Sequence, residues 1–293
     1  MSQSLDNPFR GSLVALPTPF RDQHIEFDSL RQLVELQAQG GTRGIIAAGS
    51  TGEGASLSTT ERTSVVAFCV GAAARRIPVI TGVGASSTRT AVQLAEDAHH
   101  IGAAGLLVTS PIYVRPQQRG IVEHFCAVAR ATPLPVILYD IPRRTGVAIH
   151  PDTVTRVRER CPNVCAIKES AGVDEVLAMK ATGIDVLCGE DSWIVEGIQA
   201  GAVGAISVVG NLVPKRMVRL LDCISSTPRD AADLLETLRP LITALSLETN
   251  PVPLKAMLAI LGYCPAELRL PLVELEDANL ARARSALQAC GLL

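Results

Sequence analysis

The stretch Val164-Cys165-Ala166-Ile167-Lys168-Glu169-Ser170 places a primary amine at the end of an apolar run. Lysine is scarce in this chain: Lys168, Lys180, Lys215 and Lys255 are the only four among 27 basic residues, and the rest are arginine. A guanidinium keeps its proton at any working pH, whereas a desolvated lysine can act as a neutral nucleophile. Other reactive types stand at comparable places. Ser50 and Thr51 lie in Gly49-Ser50-Thr51-Gly52-Glu53-Gly54, Tyr113 follows Ser110-Pro111-Ile112, and Tyr139 precedes Asp140-Ile141-Pro142-Arg143-Arg144. The set supplies a neutralisable amine, hydroxyls able to relay protons, and backbone N–H groups plus Arg144 for carboxylates. Those are the parts needed to form a Schiff base with a 2-oxo acid.

Taken singly, each residue has a plainer reading. A lysine ending a strand is commonly a solvated edge residue, and a buried tyrosine with a satisfied hydroxyl is commonly core. The glycine-rich loop reads alone as a turn and lacks the Gly-Lys-Ser/Thr of a nucleotide P-loop. Arg143 reads as a surface charge, Gly82-Val83-Gly84 as a turn, and His99, His100 and His124 as surface or packing residues within helices.

The elements that must present these residues follow from periodicity. Short apolar runs predict eight strands: Gly11–Ala15, Gly44–Ala48, Pro78–Val83, Gly105–Thr109, Pro135–Tyr139, Val164–Lys168, Ile184–Cys188 and Gly204–Val209. Amphipathic helical spacing fills the intervals. Ser58-Thr59-Thr60-Glu61 is a capping-box start, and Pro151 sits at a helix N-terminus. Continuously apolar strands alternating with helices predict a parallel sheet covered on its outer face. Eight such units predict an α/β fold, a closed (β/α)8 TIM barrel over residues 1–225 with chemistry at the C-terminal strand ends. Ser50, Thr51, Tyr113, Tyr139, Arg144 and Lys168 all fall at or just past those ends, where they are expected to converge. Helical patterns over 230–247, 252–261 and 272–290 predict a three-helix C-terminal domain, residues 226–293. No dinucleotide fingerprint follows the first strand, which disfavours an open Rossmann sheet.

Composition bounds the function. The chain has 293 residues, 47% of them hydrophobic but only 3% aromatic, so its core is built of Ala, Val, Leu and Ile. A net charge of −2 without a basic block argues against nucleic acid as a partner. No apolar run reaches membrane-spanning length, and the polar stretch Met1 to Arg10 has no signal-peptide core. The expectation is therefore a cytoplasmic protein whose eight cysteines are reduced and mostly buried. Cys161 and Cys165 lack a second pair, and no metal site is expected.

The motifs Gly-Ser-Thr-Gly-Glu at 49–53, Tyr-Asp-Ile-Pro at 139–142 and Ile-Lys-Glu at 167–169 resemble those of the class I pyruvate-dependent lyases and aldolases, a superfamily typified by dihydrodipicolinate synthase and N-acetylneuraminate lyase. The likeness runs from Gly11 to Leu293. Within the superfamily, Ser110 to Pro116, Arg144-Thr145-Gly146 and Asn250 to Lys255 look like the dihydrodipicolinate synthase branch. The resemblance implies that Lys168 forms a Schiff base with pyruvate and that Tyr139 gives and takes protons. It implies that Ser50 and Tyr113 complete the relay, Tyr113 coming from a neighbouring subunit of a homotetramer. Thr51 and the backbone at Ile206 would hold the pyruvate carboxylate, and Arg144 that of an aldehyde substrate, aspartate-4-semialdehyde. Gly189 is a further substrate-binding candidate, and no cofactor is implied. One departure is Ser50, where synthases usually carry threonine and sugar-acid members carry serine. The rival readings are therefore an aldolase or dehydratase for a sugar acid, or a non-catalytic barrel that binds a carboxylate. Thr59, Arg62, Thr90 and Ile112 stand where some synthases hold feedback lysine, so lysine insensitivity is expected.

Overall fold

The computed structural model describes residues 7–293; the first six residues of the polar N-terminal stretch lie outside the described residues. Eight parallel strands close into a barrel: β1 (Gly11–Ala15), β2 (Gly44–Ala47), β3 (Val79–Val83), β4 (Gly105–Thr109), β5 (Val136–Asp140), β6 (Val164–Glu169), β7 (Asp185–Cys188) and β8 (Gly204–Ser207). They are hydrogen-bonded in chain order, and β1 pairs with β8 to close the ring. The outer layer is α1 (Phe27–Gly40), α2 (Thr59–Ala73), α3 (Thr88–Ile101), α4 (Gln118–Arg130), α5 (Pro151–Arg160), α6 (Val173–Lys180), α7 (Ile194–Gln199) and α8 (Pro214–Ser226). The chain ends in α9 (Pro228–Leu245), α10 (Val252–Ile260) and α11 (Asp277–Ala289).

Two cores result from period-two alternation along buried strands. One fills the barrel, with Phe9, Leu13, Ile46, Ile80, Leu107, Ile137, Leu187 and Ile206 packed together below Tyr139. The other lies between sheet and helices. The predicted bounds of β1 and β4 match the observed ones, and α5 starts at Pro151 as expected. The Ser58–Glu61 capping box is formed reciprocally and starts α2.

The structure differs from the sequence reading in four places. Phe20–Arg21 and His24–Ile25 form a small hairpin whose turn residues, Asp22 and Gln23, both have positive φ. Pro142–Thr145 is a helical turn capped by Gly146. The last helix starts at 277 rather than 272, because the preceding segment crosses the strand ends: Arg269 N–H donates to Glu53 and Leu272 lines a chamber there. Gly82 is a strand residue, not a turn. A Cβ there would lie 2.5 Å from the Gly49 Cα, so the glycine is what lets the loop after β2 close onto β3.

One irregularity sets the site. The β5–β6 register runs Val136↔Val164 and then Ile137↔Ala166, leaving Cys165 as an extra residue on β6. Such a bulge shifts all later pairing by one. Without it, Tyr139 would face Ile167; with it, Tyr139 pairs with Lys168 and Asp140 with Glu169.

Candidate active site

A cleft opens at the C-terminal ends of the strands. It has two chambers, of about 550 and 460 Å³, that meet at Ser50, Tyr139, Ile141 and Arg144. The larger contains Lys168 and carries most of the polar groups. The smaller is apolar and runs under Leu270, Pro271 and Leu272.

Lys168 is buried, with 5% of its surface exposed. Its Nζ donates to the Tyr139 hydroxyl at 3.3 Å and lies 4.3 Å from the centre of that ring. No carboxylate pairs with it among the described residues. Gly189 forms the wall beside it: a Cβ at that position would come within 3.0 Å of the Lys168 Cε and 1.8 Å of the Ser170 Oγ. Glycine is thus a steric requirement of the lysine's slot.

The loop after β2 is held from several directions. Thr18 Oγ1 donates to the Gly52 carbonyl at 2.7 Å. The buried guanidinium of Arg62 donates to the carbonyls of Ala48, Gly54 and Gly82 at 3.0, 2.5 and 2.7 Å. Glu53 accepts from Lys255 Nζ at 2.5 Å and from Arg269 N–H at 3.0 Å. The result is that Ser50 faces both chambers while Thr51 is buried beneath it. Thr51 Oγ1 accepts from Asn250 Nδ2 at 2.9 Å, and the Asn250 carbonyl accepts from Arg144 Nη2 at 2.9 Å. The C-terminal segment therefore ties the β2 loop to the helical turn that carries Arg144.

Asp191 closes the floor on the β7 side. Its carboxylate accepts from Ser207 Oγ at 2.6 Å and from the N–H groups of Val208 and Val209 at 2.8 and 2.9 Å, while burial pushes its pKa upward. Arg143 is a surface charge, as its sequence context suggested, and it forms an ion pair with Glu190 at the cleft mouth.

Lys168, Tyr139, Ser50, Thr51, Arg144 and Gly189 thus line one cleft, as expected. Ile206 does not line it. Its side chain is wholly buried in the barrel core, one residue before the Ser207 that Asp191 holds. Tyr113 departs from the expected convergence: it is 91% exposed and lines neither chamber. It sits at φ +74°, in a three-residue turn closed by Val114 N–H to the Ile112 carbonyl at 2.9 Å, a conformation that bulky residues seldom adopt. That turn points the ring away from its own cleft.

His124 is a packing residue. It is buried between α3 and α4, bonded to Thr88, and desolvation lowers its pKa to about 4, so the ring is neutral at pH 7. All eight cysteines are free. Arg62, Asp191 and Asn250 build the site, a role the sequence reading did not give them. Of these only Asn250 carried a signal, through the Asn250 to Lys255 motif. No helix of the described residues is long and apolar enough to cross a membrane.

Comparison with known proteins places this geometry. Residues 8–290 match the model of the dihydrodipicolinate synthetase family. A 4-hydroxy-tetrahydrodipicolinate synthase of Pelobacter propionicus is 40% identical over 97% of this chain and 100% of its own. The crystal structure of dihydrodipicolinate synthase from Aquifex aeolicus superposes with a TM-score of 0.95 at 38% identity, covering 97% of this chain and 99% of that one. The chloride-inhibited enzyme from Acinetobacter baumannii, solved with pyruvate, gives 0.94 at 36% identity over 97% and 99%. The chain belongs to the dihydrodipicolinate synthetase family.

Proposed function

We propose that this protein is a lyase, a 4-hydroxy-tetrahydrodipicolinate synthase that condenses pyruvate with L-aspartate-4-semialdehyde in the route to diaminopimelate and lysine. The observation that carries the reading is the buried Lys168 amine, which meets the Tyr139 hydroxyl and no carboxylate at the closed end of a cleft containing Arg144 and Thr51. The neutral amine attacks the ketone carbon of pyruvate, and the carbinolamine loses water with Tyr139 giving the proton. The iminium makes the adjacent methyl acidic, and its proton leaves to give an enamine. The enamine carbon attacks the aldehyde, whose oxygen takes a proton. The substrate's own amine then attacks the imine carbon, closing the ring and freeing Lys168. The lysine imine is the electron sink, so the reaction needs no cofactor.

In this reading Thr51, the N–H groups of its loop and the backbone near Ile206 receive the pyruvate carboxylate. Arg144 receives the semialdehyde carboxylate, with Gly189 at the wall between them. Ser50 passes protons between Tyr139 and a Tyr113 supplied by a second copy. The exposure and left-handed φ of Tyr113 support that donation, because a ring held out of its own cleft is free to enter another. The assembly is a cytoplasmic homotetramer of chains with a catalytic barrel, 1–225, and a helical C-terminal domain, 226–293.

Ser50 favours a second reading, an aldolase or dehydratase for a sugar acid, because it offers a smaller hydroxyl side chain at the junction of the two chambers. A coupled assay offering pyruvate with aspartate-4-semialdehyde against a panel of 2-keto-3-deoxy sugar acids separates the two. Turnover of the semialdehyde is expected; cleavage of a sugar acid with no semialdehyde turnover would select the second reading.

A further inference from the structure

Asp140 and Glu169 directly follow Tyr139 and Lys168, and the register pairs them with each other. Alternation sends Tyr139 and Lys168 to the cleft and the two carboxyl groups to the opposite face, between the sheet and its helices. Both are almost fully buried, at 1% and 0% exposure. Each commits one oxygen to a backbone N–H. Asp140 Oδ1 accepts from Ile149 at 3.1 Å, and Glu169 Oε1 accepts from Ala171 at 2.8 Å. The remaining oxygens, Asp140 Oδ2 and Glu169 Oε2, have no partner among the described residues.

Among the described residues no cation answers them. The ion pairs of the described residues involve other carboxylates. The charged side chain acting on both is Glu175 of α6, itself an acid. The Cys188 thiol on β7 is the other titratable neighbour of Glu169. The register sets the two residues side by side on adjacent strands, and two ionised carboxylates in one dry layer repel each other and lose their hydration.

We propose that Asp140 and Glu169 share one proton, one carboxyl donating to the other's free oxygen, and that this bond is a positioning device locking Tyr139 beside Lys168. The positioning role rests on the Schiff-base reading above. In the working state the pair carries one proton and one negative charge. Loss of that proton to solvent replaces the bond with repulsion between two buried carboxylates, directly behind the reactive pair.

Burial pushes Asp140 up to about 7. Burial, and then the Asp140 charge, push Glu169 up to about 8. The folded protein therefore keeps a proton that the unfolded chain has released above about pH 4. Stability from this pair is present at low pH and falls as pH rises between about 4 and about 8.

The test uses the full chain with Asp140→Asn, and with Glu169→Gln as a second substitution of matching size. Either amide replaces the shared proton with a permanent N–H donor. Two readouts are followed from about pH 6 to about pH 9: the unfolding midpoint, and the rate of pyruvate-dependent borohydride trapping of Lys168. In the wild type both should fall towards the alkaline end. In a folded amide variant both falls should disappear from this window, because the added donor and the lost charge lower the pKa of the carboxyl that remains. Superimposable wild-type and variant profiles would overturn the shared proton. A displaced unfolding profile with an unmoved trapping profile would overturn the positioning role. Absence of trapping in every protein at every pH would remove the Schiff-base reading and the positioning role together, while the unfolding profiles would still decide the shared proton.

Discussion

Lys168 and Lys255 are both buried amines, and both lie over an aromatic ring, Tyr139 at 4.3 Å and Phe20 at 4.2 Å. Their polar surroundings differ. Lys255, with no exposed surface, meets the Glu53 carboxylate at 2.5 Å and the Glu267 carbonyl at 2.7 Å. Burial pulls its pKa down and Glu53 opposes that pull. Lys168 meets a phenol and open cleft. A buried ammonium with a carboxylate against it is a strut, and here it pins the β2 loop to the C-terminal segment. A buried amine without one faces the cleft with no ion-pair partner to hold it away from a carbonyl. On the proposed function the partner, not the residue type or its depth, separates the two amines.

Three substitutions sharpen that contrast. Tyr139→Phe keeps the ring against Lys168 but removes its hydroxyl partner. Turnover should fall by about 10²–10⁴-fold with the fold intact, as measured by steady-state kinetics. A loss under about tenfold would mean another group moves the protons. Lys255→Met leaves the Glu53 carboxylate buried and unpaired, which should cost about 3–5 kcal/mol in denaturant unfolding. Adding Glu53→Gln should restore most of that loss, and pyruvate trapping should survive in whatever fraction folds. An undiminished unfolding free energy in Lys255→Met would show that the strut carries no stability.

The smallest effect belongs to the rim. Arg269 holds Glu61 down to about 2, and the pair is partly exposed. Glu61→Gln should cost below about 1 kcal/mol at pH 7 because solvent screens the pair. A depressed carboxylate contributes above its unfolded value, 4.5, and its contribution vanishes as pH falls through about 2. Wild-type and variant stabilities, compared by acid titration, should therefore converge at the acid end. A constant gap down to that end would assign the effect to packing.

Much of the frame was legible because buried parallel strands are continuous apolar runs. Val164 to Lys168 read as a strand without reference to anything distant, and Lys168 stood out by scarcity. The capping box at Ser58 was equally local. What escaped depends on pairing at long range. The extra residue at Cys165, which pairs Lys168 with Tyr139, leaves no mark in composition. Arg62 looks like any helical arginine until three carbonyls converge on it. Asn250 reaches Thr51 across 199 positions of sequence. Tyr113 differs again: its place after β4 suggested convergence within one chain, but a turn with positive φ sends it outward, which leaves the expected role in a neighbouring subunit open to test.

The most direct test of the central claim is to incubate the protein with pyruvate and borohydride and locate the adduct by peptide mass mapping. One reduced pyruvate adduct is expected, on Lys168, with none on Lys180, Lys215 or Lys255, and none at all in Lys168→Arg. An adduct on Lys255, or an unmodified Lys168 in the folded protein, would contradict it.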